Sequence, residues 1–286
     1  MTAEEYRAPG ALWEDMIMFR KVGFIGTGNM GSAVAKAVSV SGLAEEILLA
    51  NRTSAKAQAL CEQIAGARPA DNGEVARTCD LIFLGVKPQM MAGMLAEIAP
   101  VLAARSDRFV LATMAAGLTC ERIRDMAGGA HPVIRFMPNT PCAIGAGVVQ
   151  YCGLDVEQQE LDAFAAMMAP AGLVDAIDEK LIDAASAVSG CGPAFTYLFI
   201  EALADGGVAC GLPRGKAIEY AAQMMMGTAK MVLESGNHPG ALKDAVCSPG
   251  GSTIEGVRTL EHHGFRGAVM DAVIAAFEKT KEMGKA

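Results

Sequence analysis

Histidine, aromatic residues and basic charge are all scarce in this chain, and each shortage closes a route. Four histidines in 286 residues, none in a His-Glu-x-x-His pair, leave no ligand set for a metal hydrolase. No Gly-x-Ser-x-Gly elbow occurs, so a serine-hydrolase triad has no anchor. Aromatics make up 5%, too few for a β-sandwich core. Lysine and arginine number 24 against 32 acids, a net charge of −8, so neither nucleic acid nor an anionic membrane is an expected partner. No apolar run comes near the roughly 20 residues of a membrane span. The stretch Met1 to Arg20 is acidic and lacks a signal-peptide apolar core; residues 1–20 read as an extension ahead of the folded body.

Cysteine is present but unpaired in pattern. The eight lie at 61, 79, 120, 142, 152, 191, 210 and 247 with no Cys-x-x-Cys, spacing that suits neither a disulfide framework nor a zinc site. They read as reduced, mostly buried thiols of a cytoplasmic protein, and no metal is expected.

What the chain has is alternation. Short apolar runs at Lys21–Ile25, Glu46–Ala50, Asp80–Val86, Arg108–Thr113 and Val133–Phe136 read as strands covered on both faces. Helical stretches between them make a doubly wound parallel sheet, a Rossmann-type α/β fold. Two more strands are expected at Gly147–Tyr151 and Gly172–Ala176. After about Asp178 the pattern turns helical, broken by Gly-Pro, Gly-Leu-Pro, Asn-His-Pro and Ser-Pro-Gly-Gly. Residues 21–178 therefore form a dinucleotide-binding domain and 179–286 an all-α domain.

Gly26-Thr27-Gly28-Asn29-Met30-Gly31 is G-x-G-x-x-G, weak alone but set between a strand and a helix start. There the glycines permit the turn, the approach of a pyrophosphate and close helix packing. The second strand ends in Asn51-Arg52-Thr53-Ser54, where an NAD-preferring fold places an acid. A guanidinium with short hydroxyls favours the 2′-phosphate of NADP; the competing reading makes Arg52 a solvated helix-start residue. Val86-Lys87-Pro88 leaves the sheet extended, because proline biases Lys87 away from the α region. Lys87 is either a general acid or a spectator, with a backbone role for this segment preferred.

Asn139-Thr140-Pro141, Ser189-Gly190-Cys191-Gly192-Pro193-Ala194-Phe195 and Ser248-Pro249-Gly250-Gly251-Ser252-Thr253 stand out by composition. With FIGTGNMG, GVKP, MPNTP, SGCGPAF, ALADGGVACGLPR and DAVCSPGGSTIEGVRTLE, the chain from Lys21 onward resembles the pyrroline-5-carboxylate reductase family. It departs at Cys191, where the family usually has Ser, and in its N-terminal stretch. The resemblance implies NADPH-dependent reduction of 1-pyrroline-5-carboxylate to L-proline, with NADH also accepted. It also implies that Asn72 and the Ala115-Ala116 backbone line the cofactor cleft, and that the helical half dimerises, with rings of dimers beyond that. Asn139, Ser189, Ser248, Gly251, Ser252 and Thr253 become the expected substrate contacts, and Thr253 the expected catalytic donor to the imine nitrogen.

Locally, Ser252 and Glu255 match a capping box whose first-turn N–H groups offer a seat for a carboxylate. The turn alone reads equally well as an ordinary capped helix. A β-hydroxyacid dehydrogenase using a lysine acid and a non-catalytic dinucleotide-binding regulator are the rival readings.

Overall fold

The structure, a computed structural model, describes residues 18–284, so the expected extension lies outside the described residues up to position 17. Phe19, 3% exposed, already belongs to the core. The chain divides into two compact units, one ending at Gly190 and regaining the chain from Phe277, the other Cys191–Ala276.

In the first unit strands and helices alternate. Ahead of β6 (Val133–Pro138), the strands β1 (Lys21–Ile25), β2 (Glu46–Ala50), β3 (Ala67–Pro69), β4 (Leu81–Leu84) and β5 (Val110–Thr113) are followed in turn by helices. These are α1 (Asn29–Ser41), α2 (Ser54–Cys61), α3 (Asn72–Thr78), α4 (Pro88–Ala103) and α5 (Cys120–Ala127). A short 3-10 turn, Thr140–Ile144, leads to β7 (Gly147–Leu154), α6 (Gln158–Met168), β8 (Gly172–Ala176) and α7 (Glu179–Ser189). The sheet order is β3-β2-β1-β4-β5-β6-β7-β8. β3 escaped the sequence reading because three residues ending in proline carry no alternation signal.

β1 to β6 pair in parallel, as expected. β7 does not: it runs antiparallel to β6. The residues between them hold one 3-10 turn, too little chain for the crossover a parallel pair requires. The β7–β8 connection contains α6, and that pair is parallel.

Apolar clusters cover both faces of the sheet. Phe24 stacks on Phe83 with centroids 4.6 Å apart, and Phe136 and Phe164 meet Phe83 at 5.5 and 6.1 Å. These rings form one aromatic cluster on a single face of the sheet.

The helix Glu179–Ser189, expected to open the helical half, packs instead on β6 and β7. Buried Arg135 on β6 explains this, since it pairs with Glu179 at 3.6 Å and with Asp183. An unpaired guanidinium in that position would be costly.

The second unit contains α8 (Gly192–Ala209), α9 (Arg214–Ser235), α10 (Pro239–Ala245), α11 (Ser252–His262) and the start of α12 (Phe265–Met283). Among its described residues the buried apolar side chains are Ala204, Ala217 and Ala221. Tyr197, Leu198 and Met226 are each more than 60% exposed. Contrary to the sequence reading, the helical stretch Glu179–Ala209 is long and apolar enough, by length and composition alone, to cross a membrane. The Gly190–Cys191 break divides it into two helices, and the second of them, α8, is largely uncovered in the single chain.

Candidate active site

The dinucleotide loop begins where β1 runs out. Gly26 has φ +102° and donates its N–H to the Ala50 carbonyl at 2.9 Å. A Cβ on Gly31 would lie 2.3 Å from the Gly26 carbonyl oxygen, so helix and loop approach as closely as only glycine permits. Gly28 is the N-cap of α1, extended, with open space where a side chain would stand and no side-chain cap. The first-turn N–H groups of Asn29, Met30 and Gly31 therefore have no side-chain acceptor. Thr27 is buried, and its Oγ1 has no hydrogen-bond partner among the described residues. A buried hydroxyl without a partner beside an uncapped helix start fits a phosphate-bearing cofactor.

Four further segments end at the same edge. After β2, Asn51 Nδ2 donates to the Thr53 carbonyl at 3.2 Å. Arg52, Thr53 and Ser54 are exposed there, and Arg52 forms no ion pair among the described residues. After β3, Asn72 opens α3 behind its cap Asp71, its amide 3.4 Å from the Glu97 carboxylate. After β4, Lys87 is extended (φ −65°, ψ 148°) and caps α4 through its backbone, with Pro88 as first helical residue. Its ammonium is exposed and unpaired among the described residues, and Val86 beside it is half-buried. After β5, Ala115 N–H donates to Thr113 Oγ1 at 3.3 Å, with Ala116 half-buried next to it. β2 and β3 extend the sheet to one side of β1 and β4 to the other, so these loops surround the switch point where doubly wound sheets bind ligands. Thr113, which fixes the Ala115 backbone, was missed by the sequence reading; a hydroxyl closing an apolar strand was its signal.

Asn139 and Ser189 are brought together, yet their polar atoms are engaged internally. Asn139 Nδ2 donates to the Ser189 carbonyl at 3.0 Å, and its Oδ1 accepts from Val148 N–H at 2.9 Å. Ser189 Oγ donates to the Ala185 carbonyl at 3.0 Å and accepts from Gln150 Nε2 at 2.8 Å. The set clamps the β6–β7 turn to the end of α7. Gln150 was also missed, although a glutamine inside an apolar strand needs a partner.

The Ser248–Thr253 turn lies in the second unit. Gly250 has φ +68°, and Gly251 N–H donates to the Ser248 carbonyl at 3.0 Å. Gly251, not Ser252, is the N-cap of α11, and no side chain caps it. The expected capping box is absent because the helix starts one residue early, which moves Glu255 past the third helical position, where it grips Arg258 with Nε 2.9 Å from the carboxylate. That guanidinium holds the Glu255 carboxyl below its usual range. The N–H groups of Ser252 and Thr253 thus stand open, and the exposed hydroxyls of Ser248, Ser252 and Thr253 have no partners among the described residues.

Comparison with known proteins gives this arrangement its relatives. Residues 179–283 match the model for pyrroline-5-carboxylate reductase dimerisation. Residues 21–116 match that for the coenzyme F420-dependent NADP oxidoreductases. The Escherichia coli K12 pyrroline-5-carboxylate reductase is 42% identical over 276 residues, 94% of this chain and all of the relative. The Pisum sativum enzyme of the same name is 39% identical, covering 92% of this chain and 95% of its own. The crystal structure of a Plasmodium falciparum pyrroline carboxylate reductase with NADP bound superposes with a TM-score of 0.83 at 35% identity. That match spans 92% of this chain and 98% of the other.

Proposed function

The chain belongs to the pyrroline-5-carboxylate reductase family, and from that premise we propose which of its residues carry each part of the reaction. The reaction is the NADPH-dependent reduction of 1-pyrroline-5-carboxylate to L-proline, the last step of proline biosynthesis. NADPH, when bound, supplies the hydride.

The Gly26–Gly31 loop and the α1 start take the pyrophosphate, with Thr27 Oγ1 as an added donor. Arg52, Thr53 and Asn51 take the ribose end, where the absence of a carboxylate favours the 2′-phosphate; NADH is accepted less well. Asn72, Val86, Lys87, Pro88, Ala115 and Ala116 line the remainder. Asn139 and Ser189 support the substrate side through the clamp described above.

The Ser248–Thr253 turn holds the substrate carboxylate on the open N–H groups of Ser252 and Thr253, aided by Ser248 and the bare backbone of Gly251. Thr253 Oγ1 donates a hydrogen bond to the imine nitrogen, drawing electron density from the carbon that accepts hydride. Glu255, kept ionised by Arg258, is a poor proton donor. Orientation therefore supplies most of the acceleration. The uncapped start of α11, beside three hydroxyls that have no partner among the described residues, is the observation that supports the substrate assignment.

The working unit is a homodimer, able to assemble into rings, in the cytoplasm. The exposed apolar side chains of α8 and α9, within the matched dimerisation segment, support that reading.

Following NADPH absorbance with pyrroline-5-carboxylate and then with a panel of 3-oxo acids tests the assignment. Turnover confined to the cyclic imine is expected; preferential turnover of an oxo acid would move the chain to the hydroxyacid dehydrogenases.

A further inference from the structure

A second cluster of reactive side chains lies where α5, β7 and α7 meet, outside the loops assigned to the cofactor. Cys120 opens α5, Cys152 sits on β7 and Glu179 opens α7. The two sulfurs are 4.0 Å apart, and one donor atom from each residue lies within 4.8 Å of the others. Two thiolates on one tetrahedral zinc, at about 2.3 Å each, stand about 3.8 Å apart, so the sulfurs need almost no adjustment. Glu179 Oε1 accepts from Cys120 N–H at 2.7 Å, which holds the carboxylate beside the thiols.

The surroundings suit a cation. Arg135, 1% exposed, is the register partner of Cys152 on β6 and pairs with Glu179 and Asp183. Two thiolates, Glu179 and Asp183 carry four negative charges; a divalent ion and Arg135 return three. Cys152 is half-buried and the Glu179 side chain is 33% exposed, so the cluster is reachable from one side.

We propose that Cys120, Cys152 and Glu179 bind a thiophilic divalent cation, zinc or cadmium, with a water completing the coordination. Binding forms two metal–sulfur bonds and one metal–oxygen bond to the Glu179 carboxylate and releases two thiol protons; no electron transfer is involved. The ion ties together three elements distant in sequence. One of them, α5, follows directly on the Ala115–Ala116 segment, so occupancy stiffens that side of the fold.

The test uses the full chain, reduced and stripped with a chelator, then titrated with cadmium. One equivalent per chain is expected, with a charge-transfer band of two thiolates and two protons released. Zinc should raise the thermal midpoint and protect half-buried Cys152 from alkylation, mapped by mass spectrometry on the wild-type chain, while exposed Cys210 stays reactive. Cys152→Ser should weaken binding by about a hundredfold or more, since even changes outside the ligand set cost ten- to a hundredfold. Glu179→Gln should weaken it less, and Cys210→Ser not at all. Absence of a stoichiometric band, a band that survives in Cys152→Ser, or equal alkylation with and without zinc would overturn the proposal. So would a Cys120–Cys152 disulfide in freshly isolated protein, which would make the pair a redox couple instead.

Discussion

Thr253 and Arg52 each bear one specific burden in the proposed mechanism. Thr253 lies in the first turn of α11, exposed, with its hydroxyl unpartnered. Thr253→Ala should lower kcat and kcat/KM together by about tenfold to a thousandfold, the loss of one transition-state donor. Because Gly251 rather than Thr253 caps the helix, the melting temperature should hardly change. Steady-state kinetics beside a thermal melt check both halves; wild-type turnover would pass the role to another donor, with Lys87 next in line. Arg52 stands exposed at the end of β2 without an acidic partner. Arg52→Asp should invert the preference for NADPH over NADH by repelling the 2′-phosphate. An unchanged ratio of kcat/KM for the two cofactors would remove Arg52 from the site.

Between elements, buried polar groups decide how the strands are joined to helices. Asn139→Ala removes the amide that serves both Val148 N–H and the Ser189 carbonyl. Leaving those groups unpaired should cost about 1–3 kcal/mol, seen as a lower denaturation midpoint. An effect on KM alone, with stability intact, would instead make Asn139 a direct substrate contact. His131 precedes β6, with its ring 4.9 Å from that of Phe109 and its Nε2 buried without a partner. Burial first, then the charge of Arg105, pushes its imidazole below the ordinary value. The folded chain therefore binds fewer protons here than the unfolded one. The stability this contributes is complete above about pH 6.5 and is lost as pH falls through the lowered folded value. Thermal midpoints measured between about pH 7 and pH 5 should fall more steeply for the wild type than for His131→Phe; equal slopes would show that His131 titrates normally.

For the molecule as a whole, the second unit cannot bury its own apolar side chains. Leu198 is 70% exposed, an unfavourable position for leucine unless another surface covers it. Within the proposed homodimer, Leu198→Asp should shift the mass seen by light scattering from dimer toward monomer. In the single chain an exposed substitution changes stability by only about 0.5 kcal/mol or less, so dissociation without unfolding is the expected pattern. A wild-type chain that scatters as a monomer at micromolar concentration would dismiss the dimer.

Strand–loop–helix order, the glycine loop at Gly26–Gly31, the acid-free end of β2 and the kinship of the chain were all legible from residue order. Each depends on near neighbours: apolar runs, a glycine where φ must be positive, a proline that sets the residue before it. Tertiary structure alone decided which distant partner each polar group took. α11 begins at Ser252 with Gly251 as its N-cap, one residue ahead of the expected register, and Glu255 pairs with Arg258. β7 reversed direction because its connection is short. The first unit extended to Gly190 because buried Arg135 draws Glu179 and Asp183 onto the sheet. Cys120, Cys152 and Glu179, without any metal spacing in sequence, became neighbours through strand register and helix docking. Local pattern sets local conformation, whereas contacts between distant residues follow from competition among partners that only the folded chain brings within reach.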